Sequence, residues 1–294
     1  MNEDPVALDS AWIAANPAPV HGDGTTKNSR GRVLAIGGSR RVPGAIRLTG
    51  EAALRAGAGK LQMATVGSAA LMLGVLVPEA AALALPEDNG GEIEALEGAD
   101  FEKAIQGCDA LVIGPGIGDP DAAERLLGQA LNATSDETML VIDAMAIGCA
   151  RSLSTALAKF RGRTIFTPHH GEMAVLTGRD EDEIAADPDA VAREVAAHFG
   201  AVVVLKSSRT VMAAPDGTLL HYRGGGIGLA TGGSGDVLAG AIAGLASRGA
   251  SPLVAAGWGV WLHGHGGRRL ATTRGPVGFL ARELAAEFPR LLPQ

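Results

Sequence analysis

The sequence predicts an α/β protein with a mostly parallel central sheet covered on both faces and an antiparallel hairpin at one edge. Three observations carry that reading. Short apolar runs ending in glycine or proline alternate with stretches of helical periodicity, the rhythm of βαβ units. The runs are apolar throughout, as strands buried on both faces require. Pro215-Asp216-Gly217 joins two further runs by a turn too short for a crossover. With 294 residues, 47% of them hydrophobic, the chain can bury a core without disulfides or metals. No composition shift or repeat divides it, so one domain over 32–294 is expected behind an N-terminal arm of residues 1–31.

In that arm Asn16-Pro17-Ala18-Pro19 and His21-Gly22-Asp23-Gly24 argue against regular structure. The strand and helix pairs then run Val33 to Ile36 with Ala45 to Ala56, Leu61 to Val66 with a short helix, and Ala110 to Ile113 with Ala122 to Leu131. Met139 to Ile142 leads into one helix over Ala146 to Phe160. Thr164 to Phe166 precedes helical patterns at Glu172 to Leu176 and Val191 to Phe199, and Val202 to Leu205 follows. Thr210 to Ala214 and Thr218 to Tyr222 make the hairpin, expected at the sheet edge. Helices over Asp236 to Ser247, Leu253 to Leu270 and Phe279 to Leu292 complete the chain. The uncharged stretches Leu61 to Pro78 and Gly249 to Gly267 carry polar, glycine or proline breaks and read as core elements, not membrane spans.

A net charge of -7 with no basic run longer than two residues excludes a broad nucleic-acid footprint. The acidic start Met1-Asn2-Glu3-Asp4-Pro5 lacks the apolar segment of a secretory signal, so a cytoplasmic protein without membrane contact is expected. Cys108 and Cys149 lack metal-ligand spacing and read as buried thiols.

In an open parallel sheet, ligands bind beyond the carboxyl ends of the strands, where the chemistry-bearing segments of this sequence fall. Gly232-Gly233-Ser234-Gly235-Asp236 runs directly into a helix, so converging backbone N–H groups and the helix dipole can hold a phosphate. Asp236 reads equally as a base on a hydroxyl that attacks a phosphoryl group and as a helix cap. Lys206, one of five lysines, ends an apolar run and either counters phosphate charge or reaches solvent. Gly114-Pro115-Gly116-Ile117-Gly118 and Gly37-Gly38 lack dinucleotide-fingerprint spacing, which disfavours a hydride-transferring Rossmann enzyme, and read as points of close substrate approach. In Thr167-Pro168-His169-His170-Gly171-Glu172, His169 can donate to a ligand and Glu172 can hold hydrated Mg²⁺. Asp143 reads as a cap or a second crevice carboxylate; His263 and His265 read as satisfied helix histidines.

In order and spacing these motifs resemble the ADP/ATP-dependent NAD(P)H-hydrate dehydratases, a branch of the ribokinase-like superfamily. The resemblance covers roughly nine tenths of the chain, from Lys27-Asn28-Ser29-Arg30-Gly31 through Ala53-Leu54-Arg55-Ala56-Gly57-Ala58-Gly59, Ile142-Asp143-Ala144 and Leu229 to Gly240, to Leu262-His263-Gly264 and beyond. It implies a ribokinase-like three-layer α/β/α fold and a reaction that restores NADH or NADPH from the 6-hydroxylated hydrate. A nucleotide, ADP in most bacterial relatives or ATP, phosphorylates the hydroxyl, and phosphate is then eliminated. The resemblance makes Asp236 the base and Gly233, Ser234 and Gly235 the anion hole. It gives the nucleotide to Lys206, Ser207, Ser208, Arg209, Thr210 and Gly235, and the hydrate to Ala45, Gly116, Gly118, His169 and Asp236. It further implies Mg²⁺, held by Glu172 through water, a homotetramer, and, with only about thirty residues before the match, a separate epimerase as partner.

The chain departs from the family pattern at Met145, Ser207, Gly226-Ile227, Arg268 and Arg282-Glu283, where a second aspartate, a glycine, Asn-Pro, an aspartate, and a small residue with aspartate are usual. The alternatives are a ribokinase-like kinase acting on a vitamin precursor or sugar alcohol, and a non-catalytic relative that binds nucleotide.

Overall fold

A computed structural model describes residues 4–293. Its strands are β1 (Val6–Ala7), β2 (Arg32–Ile36), β3 (Lys60–Val66), β4 (Ala80–Leu85), β5 (Ala110–Ile113), β6 (Met139–Ile142), β7 (Thr164–Phe166), β8 (Val202–Leu205), β9 (Arg209–Ala213) and β10 (Leu219–Arg223). They form one sheet in the order β1-β10-β9-β8-β7-β6-β5-β2-β3-β4. All pairings are parallel except β8 with β9 and β9 with β10. The chain builds outward from β2 to β4, then returns to the other side of β2 with β5, so the order reverses between β2 and β5.

The helices are α1 (Ser10–Ala15), α2 (Gly44–Arg55), α3 (Gly67–Leu76), α4 (Ala99–Gly107), α5 (Pro120–Ala133), α6 (Met145–Cys149), α7 (Ser154–Leu157), α8 (His170–Thr177), α9 (Glu181–Ala186), α10 (Pro188–Phe199), α11 (Ser234–Ser247), α12 (Pro252–Thr273) and α13 (Ala281–Leu284). The two-residue period of the strands divides the core. Val33 and Ala35 join residues of α2, α11 and α12 on one face, while Leu34 and Ile36 join α4, α5 and α10 on the other. The result is the three-layer arrangement the sequence predicts. Every residue of α11 from Val237 to Ser247 is buried, and glycines let its backbone approach α2 closely. A Cβ at Gly240 would collide with the Thr49 carbonyl oxygen, and one at Gly244 would lie 2.5 Å from that of Ala53.

The hairpin forms where expected: Asp216 Oδ1 accepts the Thr218 N–H at 2.9 Å, and Gly217 takes φ +93°. It is not the sheet edge, however, because β1 pairs with β10 outside it. The expectation of an irregular arm is corrected by the same strand and by α1. Asp9 caps α1, Trp12 fills the space above Gly257, and Asn16 O accepts Trp258 Nε1–H at 2.7 Å. The prolines and glycines break the arm only after residue 16.

Other boundaries also move. The helix expected over 146–160 breaks after Cys149, where Ser152 Oγ donates to the Cys149 carbonyl at 2.9 Å and competes for it with the helix. The helix expected over 279–292 is only α13 followed by a 3₁₀ segment, Ala285–Arg290, that contains Pro289. The structure adds β4, α4 and α9. Within 61–78, β3 is core, whereas α3 buries Ala70 and Leu73 and turns its other face outward: Leu71 is 83% exposed and Val75 73%.

Gly240→Ala should push α11 from α2 and destabilise the protein by about 1–3 kcal/mol, the usual penalty of overpacking. Denaturant unfolding measures this; an unchanged midpoint would show that the helix pair can relax.

Candidate active site

At the point where strand order reverses, the β2 and β5 loops lock together. Gly38 N–H donates to Pro115 O at 2.7 Å, and a Cβ at Gly37 would collide with the same oxygen. Gly114 presses on the Asp143 carbonyl, and a Cβ at Gly116 would lie 2.9 Å from that of Ala45. A Cβ at 37, 38, 114 or 116 would therefore meet protein atoms, so packing within the fold already requires glycine at these positions, whatever ligand approaches them. Gly118 N–H donates to both oxygens of Glu92, at 3.2 Å each, a buried carboxylate whose pKa is raised chiefly by desolvation.

The ends of β6, β7 and β8 bring charges together. Lys206 N–H donates to Pro168 O at 2.7 Å, which ties the two loops. Its Nζ donates to Asp143 Oδ1 at 3.1 Å and lies 3.6 Å from Glu172 Oε2. Burial alone would depress the ammonium, but Asp143, Glu172 and Asp236 raise its pKa above that of ordinary lysine. Asp143 is 2% exposed and also accepts Thr167 Oγ1–H at 2.6 Å. Its two sequence readings resolve here: it caps no helix and faces the crevice. The next residue, Ala144, alone among the described non-glycine residues has positive φ, 51° with ψ −134°, a conformation that costs about 1–3 kcal/mol.

His169 and Glu172 form a capping box on α8. His169 N–H donates to Glu172 Oε2 at 2.8 Å, and His169 Nδ1 accepts from Gly171 N–H at 3.0 Å. With Nδ1 an acceptor, a neutral His169 carries its proton on the exposed Nε2. The pair is thus structural as well as crevice-facing.

α11 begins without a side-chain cap. Gly233 adopts φ +88°, with Leu48 of α2 beside it, so a Cβ there would lie 2.5 Å from Leu48 Cδ1. Ser234 N–H is taken by Thr231 O at 3.2 Å, whereas the N–H groups of Gly233, Gly235 and Asp236 find no acceptor among the described residues. Of the backbone donors expected at Gly233, Ser234 and Gly235, that of Ser234 is occupied. A Cβ at Gly235 would lie 3.3 Å from Lys206 Nζ, so the ammonium stands over this turn. Desolvation, with Asp143 adding to it, raises the Asp236 pKa to about 7 against the opposing effect of Lys206.

A cavity of about 810 Å³ opens beside this turn, with Lys206, Ser207, Ser208, Thr210, Ser234 and Gly235 in its wall and His169 at its rim. Arg209 does not line it. Strand alternation turns that side chain to Asp189, 3.5 Å away, which also holds His221 at 2.9 Å. Ala45, Gly116 and Gly118 lie at the locked loops instead. Ser207 closes a turn, its Oγ donating to Arg209 O at 2.6 Å, and Arg268 donates to Tyr222 Oη at 2.9 Å in the cavity wall. Met145, Ile227 and Arg282 are exposed. Sequence reasoning missed the apolar walls, Leu229, Leu238 and Val260, and the part of His263. No local pattern marks these residues as site-lining.

The raised pKa of Asp236 links to stability. Its folded value lies above the unfolded one, so the proton is held more tightly in the folded state. The resulting penalty is absent below pH 4, grows through the interval between the two values, and levels off above about 7. Asp236→Asn should therefore melt higher than wild type at pH 8, by up to about 1.4 kcal/mol per unit of raised pKa, with the gap closing by pH 4. A gap independent of pH would mean that Asp236 ionises normally.

Residues 33–290 match the family model described as NAD(P)H-hydrate dehydratase. The chain is 46% identical to the ADP-dependent (S)-NAD(P)H-hydrate dehydratase of Xanthomonas campestris pv. campestris over 97% of its own length and 95% of that protein. It is 36% identical to the bifunctional NAD(P)H-hydrate repair enzyme of Moorella thermoacetica, covering 97% of its own length and 53% of that protein. Among solved structures, the ADP/ATP-dependent NAD(P)H-hydrate dehydratase of Bacillus subtilis, co-crystallised with ATP/Mg²⁺, superposes with a TM-score of 0.80 at 27% identity over 98% of both chains. A ribokinase-like superfamily protein of Enterococcus faecalis superposes with a TM-score of 0.81 at 26% identity, over 99% of this chain and 96% of that one. With its ribokinase-like three-layer fold and a glycine-rich turn that leads into a helix beside an ionisable aspartate, the chain belongs to the NAD(P)H-hydrate dehydratase family.

Proposed function

We propose that this protein returns the S form of NAD(P)H hydrate to NAD(P)H at the expense of a nucleotide, with ADP as the donor. The observation that carries the reading is Asp236, a carboxyl with its pKa near 7 placed one residue beyond backbone N–H groups that lack acceptors. A base of that pKa takes a proton efficiently near neutrality. In this scheme the 6-hydroxyl gives its proton to Asp236 while its oxygen bonds to the terminal phosphorus of ADP and AMP leaves. The N–H groups of Gly233, Gly235 and Asp236 are the donors available to the phosphoryl oxygens in flight. Departure of phosphate from C6 and of a proton from C5 to solvent forms the C5–C6 double bond. Hydrate and ADP thus become NAD(P)H, AMP and phosphate.

In the same scheme Lys206, Ser207, Ser208, Thr210 and Gly235 hold the nucleotide in the cavity, and Arg209 supports that strand through Asp189. Ala45, Gly116, Gly118 and His169 contact the hydrate across Asp236. The donor chemistry fits Mg²⁺. Asp143 and Glu172 offer the hard oxygen atoms Mg²⁺ prefers, and with the Lys206 ammonium already between them the ion would be held beside it through water, chiefly by Glu172. Among the described residues no cluster of three or more candidate ligands could hold a metal unaided, so the ion would share its ligands with nucleotide phosphate and water. When bound it would neutralise phosphate charge.

A homotetramer is proposed alongside. Leu71, Met72 and Val75 of α3 are exposed, neither α3 nor the edge strand β4 contains a charged residue, and apolar patches of this kind mark contacts. We place the protein in the cytoplasm, working together with an epimerase of the same substrate. Both thiols are free and buried, and no helix among the described residues is long and apolar enough to cross a membrane.

Asp236→Asn should lower nucleotide-dependent recovery of near-ultraviolet dihydropyridine absorbance by about 10²- to 10⁴-fold while leaving MgADP affinity largely unchanged. Retained turnover would remove Asp236 from the chemistry. For the assembly, Leu71→Glu with Val75→Glu should reduce the mass seen by light scattering. A wild-type monomer would overturn the tetramer.

A further inference from the structure

Ser234 sits in the phosphate-holding turn, yet its backbone N–H is bonded to Thr231 O at 3.2 Å. What it can offer a phosphoryl group is its hydroxyl. Ser234 Oγ lies 2.8 Å from His263 Nε2, contributed by α12, and both residues line the nucleotide-side cavity. His265, grouped with His263 in the sequence reading, differs. Its Nδ1 lies 3.1 Å from the Trp261 carbonyl of its own helix and 3.3 Å from Tyr222 Oη. His265 is the satisfied helix histidine; His263 reaches into the phosphate turn.

The direction of the Ser234–His263 hydrogen bond decides what the serine presents. Burial pushes the His263 pKa down to about 4, against a backbone hydrogen bond at Ser234 that raises it, and Lys206 lowers it further. The ring is neutral at physiological pH and has one N–H. If Nε2 is bare, Ser234 donates to it and turns oxygen lone pairs to an incoming anion, which is repulsive. If Nε2 carries the proton, the histidine donates and the serine O–H is free to donate onward. An anion at this turn selects the second arrangement. A purely structural tie would be redundant, because Gly259 already lets α12 close on Ile242 of α11: a Cβ there would collide with Ile242 Cγ1.

We propose that His263 is a positioning residue of the anion site: its Nε2–H donates to Ser234 Oγ and directs the serine O–H to the oxygens of the transferred phosphoryl group. The side-chain donor joins the backbone donors of Gly233, Gly235 and Asp236. This deepens the functional reading above and rests on it for the identity of the anion, the terminal phosphate of the donor nucleotide.

The test is a double-mutant cycle on the full-length protein, read by turnover of NADH hydrate and by calorimetric affinity for MgADP and for AMP, which lacks the transferred phosphate. Ser234→Ala and His263→Phe should each lower kcat and weaken MgADP by about 10- to 100-fold while sparing AMP. His263→Gln, which keeps an N–H at similar reach, should restore most of the loss. The double variant Ser234→Ala with His263→Phe should lose no more than Ser234→Ala alone. Multiplicative losses, AMP weakened equally with MgADP, or His263→Gln failing while folded would each overturn the relay. Should His263→Phe not fold, His263→Met, which fills similar volume without an N–H, takes its place in the cycle. If the wild type leaves NADH hydrate unchanged, the reaction assignment falls, and the MgADP-to-AMP comparison still decides the role of His263.

Discussion

The Lys206 ammonium is the charge on which the site depends. It holds the buried carboxylate of Asp143 at 3.1 Å, lies near Glu172, and stands over the first turn of α11, where Asp236 begins to feel it. Without it three carboxylates would crowd one poorly hydrated crevice, where like charges disfavour one another's ionisation. With it, Asp143 is held as a fixed partner and Asp236 is left with a pKa near neutrality. The same ammonium supplies positive charge at the turn where, in the proposed scheme, a nucleotide phosphate arrives.

That arrangement draws on several parts of the fold at once. The ends of β6, β7 and β8 carry Asp143, Glu172 and Lys206 to one edge because their strands are adjacent and parallel. Strain at Ala144 turns the chain sharply after Asp143, and the loop glycines, locked against one another, leave that turn no freedom to relax. On the opposite face, the close contact of α11 with α2 sets Gly233, at the head of α11, against Leu48. A displacement of either helix would therefore alter the distance between the cavity beside Lys206 and the β2 and β5 loops.

Much of this was legible in the sequence, for reasons that differ from element to element. Apolar runs located β2, β3 and β5 to β8 because those strands are largely buried on both faces, and the turn at Pro215-Asp216-Gly217 located β9 and β10. The alanine-rich β4 carries little strand propensity and escaped notice, being an edge strand whose identity comes from pairing with β3. The turn from Gly232 to Asp236 was readable as a helix start because clustered glycines lead directly into an apolar helical run. Arg209 was placed in the nucleotide segment by its neighbours, whereas alternation along β9 sends it to Asp189. His263 lay beyond sequence reasoning altogether, since its partner is 29 residues away and only the packing of α11 on α12 brings them together. The exposed face of α3 was equally hidden, because an uncharged run reads the same whether it fills a core or meets another subunit.

The central claim is that phosphoryl transfer here ends in dehydration, not in a stable phosphate ester. The most direct measurement mixes the protein with NADH hydrate, Mg²⁺ and ADP or ATP, and follows dihydropyridine absorbance and phosphorus NMR together. The account predicts one inorganic phosphate for each dihydropyridine restored, with AMP from ADP as the other product and nothing restored when nucleotide is omitted. A phosphorylated product that accumulates without return of absorbance, or absorbance that returns without nucleotide, would contradict it.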